Sequence, residues 1–456
     1  MKKTVISMVV ENDLCIGCGL CAALCPQNAL AMQWNRYGEY NPVEISPCTT
    51  DCGLCLKVCP FTDSGENEDT IGKRLYGEIP GIQHLPETGY YLASHVGYSE
   101  KHRLTSASGG IATWLLEALL LEGIVDHAIC VAPTGDPDGL FSFQVFDTPE
   151  EVRTGAGSAY YPVEMSEVIR HVLGHPGRYV ITGLPCFIKA IRLAQQRNKK
   201  LQERIVFTVG LVCGQMKSSH FTDYIASLAG VRGKVMDVRY RGKSPNQPAN
   251  NYYYLFKTCE GDEKKIFSRE GISEAWTNRW FTPNACNYCD DVFAECADVV
   301  CMDAWLPEYS RDSRGMSLVL VRSPQVRDII ERGQGIRAKP IPVQKLVQSQ
   351  AGVVAIKRGQ LAYWLYLNGE KGLLPLRKRV EPVRSKNLFL RQQVILKEKM
   401  QRLSKEWWIT NDGEGKQLRQ LMQPYLKQLQ RGTIALKVIS LPIRMIRKVM
   451  PGKCDE

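Results

Sequence analysis

Two cysteine arrays near the start of the chain constrain its fold more than any other feature. The first is Cys15-x2-Cys18-x2-Cys21-x3-Cys25-Pro26, and the second is Cys48-x3-Cys52-x2-Cys55-x3-Cys59-Pro60. A 4Fe–4S cube needs four thiolates converging on its corners. A short loop with x2 spacing wraps three of them, and the fourth has to come from elsewhere. In a doubled array each half supplies the other's missing ligand. This assigns Cys15, Cys18, Cys21 and Cys59 to one cube, and Cys48, Cys52, Cys55 and Cys25 to the other. Gly17, Gly19 and Gly53 suit a backbone that turns tightly around sulfides with its N–H groups pointing inward. Zinc is the alternative, but the doubled array with both Cys-Pro endings is far more specific to iron than a lone CxxC. Two clusters imply a role in moving single electrons without saying what receives them.

The chain has 456 residues and 17 cysteines. The compact arrays argue against a disulfide framework and for a reducing, cytoplasmic compartment. MKKTVISMVV does not read as a secretory leader, because polar residues and the first array follow its short apolar run. No window is apolar for the length a bilayer crossing needs. The formal charge of +11 is unevenly spread: from Ala351 onward there are 22 Lys/Arg against 8 Asp/Glu, which leaves the preceding residues at −3. A basic extension on a near-neutral body, without a recognition motif, argues against nucleic acid as a partner.

Residues 1–65 read as an α+β, ferredoxin-like dicluster module and 66–89 as a linker, on the polar stretch from Thr62 to Lys73. Strand patterns follow in YYLASHVGYS, VDHAICVA, FSFQVF, RYVITG, RIVFTVGLVCG, Asn251–Phe256 and MSLVLVRS. Helical patterns lie between several of them: Ile111–Leu121, stopped by Gly123, and stretches around Val163–Val172 and Phe187–Gln196. Alternation at this spacing predicts an α/β domain with a mixed or mostly parallel sheet. Residues 351–456 read as a basic, mostly helical extension in which Trp407 and Trp408 stand as isolated large apolar groups.

Four further cysteines sit at the ends of predicted elements. Cys186 lies in the turn Gly183-Leu184-Pro185-Cys186, Cys213 ends a strand before Gly214, and Cys286 and Cys289 form a C-x2-C pair. By spacing alone these are either a third metal site or buried apolar thiols. Cys130 reads as a packed strand residue, and Cys259 and Cys454 have no partner pattern.

The dicluster array, the SGG loop, the GLPC turn, the strand ending in VCG and the C-x2-C-D segment, in that order, resemble the coenzyme F420 hydrogenase/dehydrogenase beta-subunit family, which also includes chlorophyll-pathway reductases. The resemblance spans roughly Cys15 to Gln350 and implies a body in two parts of one domain, 90–175 and 176–350. It implies an α/β flavin-binding domain with FAD and its own 4Fe–4S cluster, three clusters in all. The implied ligands of the third are Cys186, Cys213, Cys286 and Cys289. The implied flavin contacts are Ser106, Ser108, Gly109 and Gly110, then Gly157, Ser158 and Tyr160, then Gly183 and Pro185. Read from the residues alone, Ser108-Gly109-Gly110 before a helix is either a phosphate site or an ordinary N-cap. The chain departs from the family pattern at Ala159, where a lysine is common, and at Phe187, where a glutamine is common. Cys296 and Cys301 replace apolar residues, and Met302-Asp303 stands where Gly-Asp is usual. Cys296 opens a rival ligand set with Cys286 and Cys289.

These cofactors imply an iron–sulfur flavoprotein oxidoreductase exchanging electrons with ferredoxin or another electron-transfer protein and reducing a small organic substrate. An electron-transfer component of a larger hydrogenase or dehydrogenase complex is the alternative, and a non-catalytic redox or scaffold protein is a third. No proton donor stands out, although His102 and Arg103 are placed for an anionic group. The segment Ile434–Met450 mixes apolar and basic residues around Pro442, which is expected to break or kink a helix. It reads as a helix packed on the body, as a peripheral membrane contact or as a partner-docking segment.

Overall fold

A computed structural model describes residues 3–449 apart from 51, 64, 374–377 and 412, and for 433–449 only the helical backbone. Both cysteine arrays fold alike locally. A left-handed glycine, Gly19 at φ 82° and Gly53 at φ 59°, opens a one-turn helix, Leu20–Ala23 in one array and Leu54–Lys57 in the other. The left-handed turn is cheap only for glycine. An antiparallel hairpin, Leu30–Trp34 with Tyr40–Glu44, lies between the two helices. At Gly19 there is also no space: a Cβ would come within 2.8 Å of the Ser166 backbone nitrogen.

That contact is to the body, because the module is docked on it. Met165 N–H donates to Cys18 O at 3.0 Å, Arg170 donates to Ala22 O at 3.2 Å, and Lys405 pairs with Glu39 at 2.8 Å. Leu20, Val58 and Phe61 share one hydrophobic core with Met165, Ile188 and Phe293. The segment expected as a linker is folded. It forms a helix, Glu68–Tyr76, capped reciprocally by Asn67 and Thr70, and a short hairpin, Gln83–Leu85 with Gly89–Tyr91. Its polar composition reflects the capping box and buried ion pairs rather than solvent exposure.

The body is built on an eight-stranded mixed sheet. In spatial order its strands are Ile336–Pro340, Ala93–Ser99, Ser317–Val321, Val299–Asp303, Ile205–Leu211, Tyr179–Gly183, His127–Pro133 and Phe141–Phe146. The three pairings from Val299–Asp303 through to His127–Pro133 are parallel and the other four antiparallel. Ala93–Ser99 is two antiparallel steps from Val299–Asp303, so it runs the same way as the parallel strands. The expected helix Ile111–Leu121 is present with those bounds, and Gly123 follows it at φ 61°. A three-stranded antiparallel sheet, Val235–Gly242, Tyr253–Thr258 and Glu263–Phe267, forms a satellite layer.

Beyond residue 350 the chain is helical, and much of it is packed rather than solvated. Leu361–Glu370 buries Leu361, Trp364 and Leu365 in the main core. Leu388–Thr410 lies across the segment before Cys286, where Ser404 Oγ accepts from Phe281 N–H at 2.8 Å and Gln401 donates to Thr282 O at 2.7 Å. Trp408, expected to be isolated, packs edge-on against Phe281 at 5.4 Å between ring centroids. The last helix, Gly415–Val449, buries Leu418, Met422 and Leu426 against the Ser219–Ala229 helix and its neighbours. It continues through Pro442, where a break or a kink was expected. The apolar and basic side chains of Ile434–Met450 lie outside the described residues. Among the described residues no helix is long and apolar enough to cross a membrane.

Candidate metal and cofactor site

Five strands of the main sheet point the same way, and their C-terminal ends carry most of the residues singled out from sequence. The SGG loop follows Ala93–Ser99, the GLPC turn follows Tyr179–Gly183, Cys213 follows Ile205–Leu211, and Asp303 ends Val299–Asp303. This edge is where open α/β sheets bind ligands, because loops diverge there and helix N-termini face outward.

In the docked module, the thiols acting electrostatically on Cys21 are Cys18, Cys15, Cys59 and Cys55, and those acting on Cys59 are Cys18, Cys15 and Cys55. Cys15, Cys18, Cys21 and Cys59 are therefore neighbours, with Cys55 of the second array beside them. Burial pushes the Cys18 thiol up to about 12. Cys55 has Cys52 and Cys48 as its thiol neighbours. Gln27, two residues past Cys25, holds the loop after Cys48 through Thr49 N–H at 3.0 Å and Thr50 N–H at 3.3 Å.

In the body, Cys186 is acted on by Cys289, Cys213 and Cys286, and the four thiols come from three separate stretches of chain. Cys186 sits in the first turn of the helix Pro185–Gln195, with Pro185 at its start and Gly183 closing the strand before it. Cys286 and Cys289 lie in and just after a 3-10 turn, Asn284–Tyr288, and Cys286 Sγ accepts from Met216 N–H at 3.3 Å. Cys296 is elsewhere: its thiol faces Glu68, Asp291, Lys189 and Glu295. Two cations stand at the body thiols that sequence reasoning missed. Lys357 Nζ donates to Cys289 Sγ at 2.8 Å, and Arg279 has Nε and Nη2 buried without a hydrogen-bond partner among the described residues. Four mutually interacting thiols beside unsatisfied donors fit a 4Fe–4S cube, whose thiolates and sulfides accept such hydrogen bonds. Among the described residues no group of three or more His, Cys, Asp or Glu closes on a single metal ion. A tetrahedral ion at ~2.3 Å draws its thiolates closer together than the outer corners of a cube do.

The candidate flavin loops meet on the same edge. Ser108 Oγ donates to Met316 O at 2.7 Å, and Gly109 N–H is spent on Ser317 Oγ at 3.0 Å rather than aimed at a ligand. Gly110 caps the Ile111–Leu121 helix at φ 80°, with His102 where a Cβ would stand. Ser106 Oγ is buried with no partner among the described residues. Lys243 Nζ donates to Arg103 O, and to Ser108 O and Arg314 O at 2.6 Å each, so one side chain gathers the SGG loop. Burial, with Arg241 and Arg103 nearby, pulls the Lys243 ammonium down to about 7. Gly157, at φ 141°, and Ser158 lead into Tyr160, whose ring packs on Trp276 at 4.7 Å and whose hydroxyl lies near that of Tyr252. Arg241 forks onto Asp303 at 2.7 and 2.8 Å beside them, leaving its Nε without a partner among the described residues. Unpaired polar atoms on Ser106 and Arg241, with the Lys243 cation near them, fit a phosphate-bearing cofactor. His102 and Arg103, expected to face an anion, are instead committed to Glu117 at 2.7 Å and Asp312 at 2.8 Å. Phe187, at the expected glutamine position, is a core residue. Lys243, Arg241, Arg279 and Lys357 lay outside every local motif; the concentration of basic residues after Ala351 was the only signal for Lys357.

Comparison with known proteins agrees along the chain. Residues 177–344 match the C-terminal part, and residues 95–170 the N-terminal part, of the beta subunit of coenzyme F420 hydrogenase/dehydrogenase, and residues 14–62 match the 4Fe-4S dicluster domain. One F(420)H(2) dehydrogenase subunit from Methanosarcina mazei is 21% identical over 352 residues, covering 75% of this chain and 89% of that protein. An uncharacterised ferredoxin of Methanocaldococcus jannaschii is 31% identical over 55 residues, 12% of this chain and 70% of its own. One chain of the xenon-derivatised F420-reducing [NiFe] hydrogenase complex from Methanosarcina barkeri superposes with a TM-score of 0.49 at 20% identity, over 65% of this chain and 99% of that chain. The chain is thus an iron–sulfur electron-transfer protein, and it belongs to the coenzyme F420 hydrogenase/dehydrogenase beta-subunit family.

Proposed function

We propose that the chain is a flavin-carrying electron-transfer subunit that passes electrons between a partner redox protein, three 4Fe–4S clusters and FAD. The observation that carries this reading is the gathering of Cys186, Cys213, Cys286 and Cys289 on the sheet edge that also bears the SGG loop. The name of the Methanosarcina mazei relative, which describes one component of a dehydrogenase, supports a partner. A bound flavin exchanges electrons in pairs or singly, which lets it trade with one-electron clusters. Tyr160, Arg241 and Ser106 would line its site, with Arg241 Nε and Ser106 Oγ left to meet the pyrophosphate and Lys243 holding the loop beside it. Protein purified anaerobically is expected to hold about twelve iron atoms and one FAD, three cubes of four irons. Iron near eight with no FAD would overturn the reading.

A second reading is a self-contained, ferredoxin-dependent reductase of a small organic substrate. The docking of the dicluster module on the flavin-loop body, through Cys18 and Ala22, favours it. Oxidation of reduced ferredoxin by the isolated chain with a small acceptor would select this reading. Stable co-purification with a second protein, without activity alone, would select the first.

Lys243 gives a local test of the flavin site. Lys243→Ala removes the ammonium that ties three loop carbonyls together. FAD retention is expected to fall about tenfold, the equivalent of one charged hydrogen bond at ~1.5 kcal/mol, with iron content unchanged. Equal retention in variant and parent would remove Lys243 from the flavin site.

A further inference from the structure

The two ends of the cluster system sit in opposite electrostatic surroundings. The charged side chains acting on the thiols of Cys186, Cys213 and Cys286 are Lys357 and Arg279, while the buried carboxylates Asp290 and Asp291 follow Cys289 along the chain. Lys357 Nζ contacts Cys289 Sγ at 2.8 Å and Asp291 O at 2.7 Å. A crevice running past Cys286 and Cys289 is lined by Arg279, Lys357 and Lys397, against Glu398 among its described lining residues. Arg279, Lys357 and Lys397 are all nearly fully buried. Lys357 is carried by a π-helical turn, Ile356–Gln360, spliced between two helices. Such turns recur at functional sites, because the inserted residue re-aims the side chains around it. Arg279 is held at a left-handed φ of 63°, in a segment clasped by Ser404 and Gln401. Lys357, Lys397, Gln401 and Ser404 all lie past residue 344, where the family match ends.

The dicluster module reverses the pattern. The charged side chains acting on Cys15 are Glu39 and Asp13, and the one acting on Cys18 is Glu164. Lys405 offsets part of this by pairing with Glu39 at 2.8 Å. Reducing a cube adds one negative charge, which buried cations stabilise and buried carboxylates oppose, strongly where water is scarce.

We propose that the C-terminal extension tunes the body cluster, with Lys357 as its principal residue, so that this cluster has a higher reduction potential than the dicluster cube held by Cys15, Cys18, Cys21 and Cys59. One electron then leaves the reduced dicluster cube, oxidising it, and reduces the body cluster by one electron, with no proton moved. The preferred direction is from module to body. This rests on the third cluster of the proposed function.

The test is a redox titration of the anaerobically purified full chain at pH 7, followed by electron paramagnetic resonance, with iron measured in parallel. In the parent the body cluster is expected to titrate above the dicluster cube. In Lys357→Met the ratio of reduced to oxidised body cluster, at the poise where the parent is half reduced, is expected to fall at least tenfold. That corresponds to about 59 mV for a one-electron couple. The dicluster signals stay in place, and Lys357→Arg, which keeps the charge, restores most of the shift. Should Lys357→Met assemble incompletely, Lys397→Met is expected to move the midpoint the same way by a smaller amount, since its ammonium lines the crevice without touching a ligand. Twelve irons with unmoved midpoints in the assembled variants, or a parent body cluster titrating below the dicluster cube, overturns the inference alone. Eight irons and two cluster signals in the parent overturns the third cluster, and this inference with it.

Discussion

Replacing Cys286 and Cys289 together by alanine should remove about four of roughly twelve iron atoms and leave the dicluster module intact. The two cysteines supply half of one candidate ligand set, and the other half, Cys186 and Cys213, projects from the neighbouring strand ends. Two thiolates cannot hold a cube against solvent, so loss should be complete rather than graded. The module shares a core with the body, yet its own eight cysteines are drawn from residues 15–59, and its cluster signals should persist. Flavin retention should change less than iron, because the SGG loop is held by Lys243, Met316 and Ser317. Cys296→Ala is the counterpart. Its thiol faces Glu68 and Asp291 rather than the other cysteines, so iron should stay at the parent level. Loss of about four irons in Cys296→Ala as well as in the double variant would restore the rival ligand set of Cys286, Cys289 and Cys296.

What could be read from the chain alone divides by the distance between cooperating residues. The dicluster ligands lie within a few residues of one another, and their spacing carries the geometry. The strand and helix patterns were legible for the same reason: burial of one face repeats locally, as in Ile111–Leu121 and Tyr179–Gly183. The body cysteines are spread from 186 to 289, and only resemblance to a family joined them. The segment 66–89 failed as a linker because its charges look solvated in isolation. Glu68 is buried because Lys189 and Arg379 reach it from far along the chain, which no local pattern encodes. The extension is helical as expected, but the partners of its charges were equally hidden. A surplus of lysines and arginines reads as a wet surface, yet Lys357, Arg379, Lys397 and Lys405 are buried against sulfur or carboxylate partners or line the crevice at the body thiols. Sequence periodicity reports which face is apolar. It is silent on which cations turn inward to meet a partner.

Arg379 is where that silence matters most for stability. Its guanidinium pairs with Glu295 at 2.7 Å, Asp69 at 2.9 Å, Asp290 at 3.4 Å and Glu68 at 3.6 Å, joining the extension to the Glu68–Tyr76 helix and to the segment after Cys289. Glu295, Asp290 and Glu68 are each buried. Removing one partner of a buried ionic cluster leaves carboxylates desolvated and unpaired, which costs ~3–5 kcal/mol. Arg379→Ala should therefore lower the midpoint of anaerobic urea unfolding by that equivalent at about pH 8. Arg379→Lys should recover part of the loss, since one ammonium replaces a fork that reaches several oxygens. The pH dependence has a definite sign. Burial raises the Glu295 carboxyl to about 7, and Arg379 is the strongest force opposing that rise. A carboxyl whose folded value lies above its unfolded value of about 4.3 costs stability as pH climbs between the two, because the unfolded state gives up its proton first. Without Arg379 the folded value moves higher still, so the penalty keeps growing above about pH 7. The variant should lie closest to the parent at about pH 5 and fall progressively behind toward about pH 8. A deficit of the same size at both pH values would mean that Arg379 acts through packing or through Asp290 and Glu68, whose carboxyls its charge helps to hold low, and not through Glu295. A deficit below ~1 kcal/mol would mean that the carboxylates find other partners.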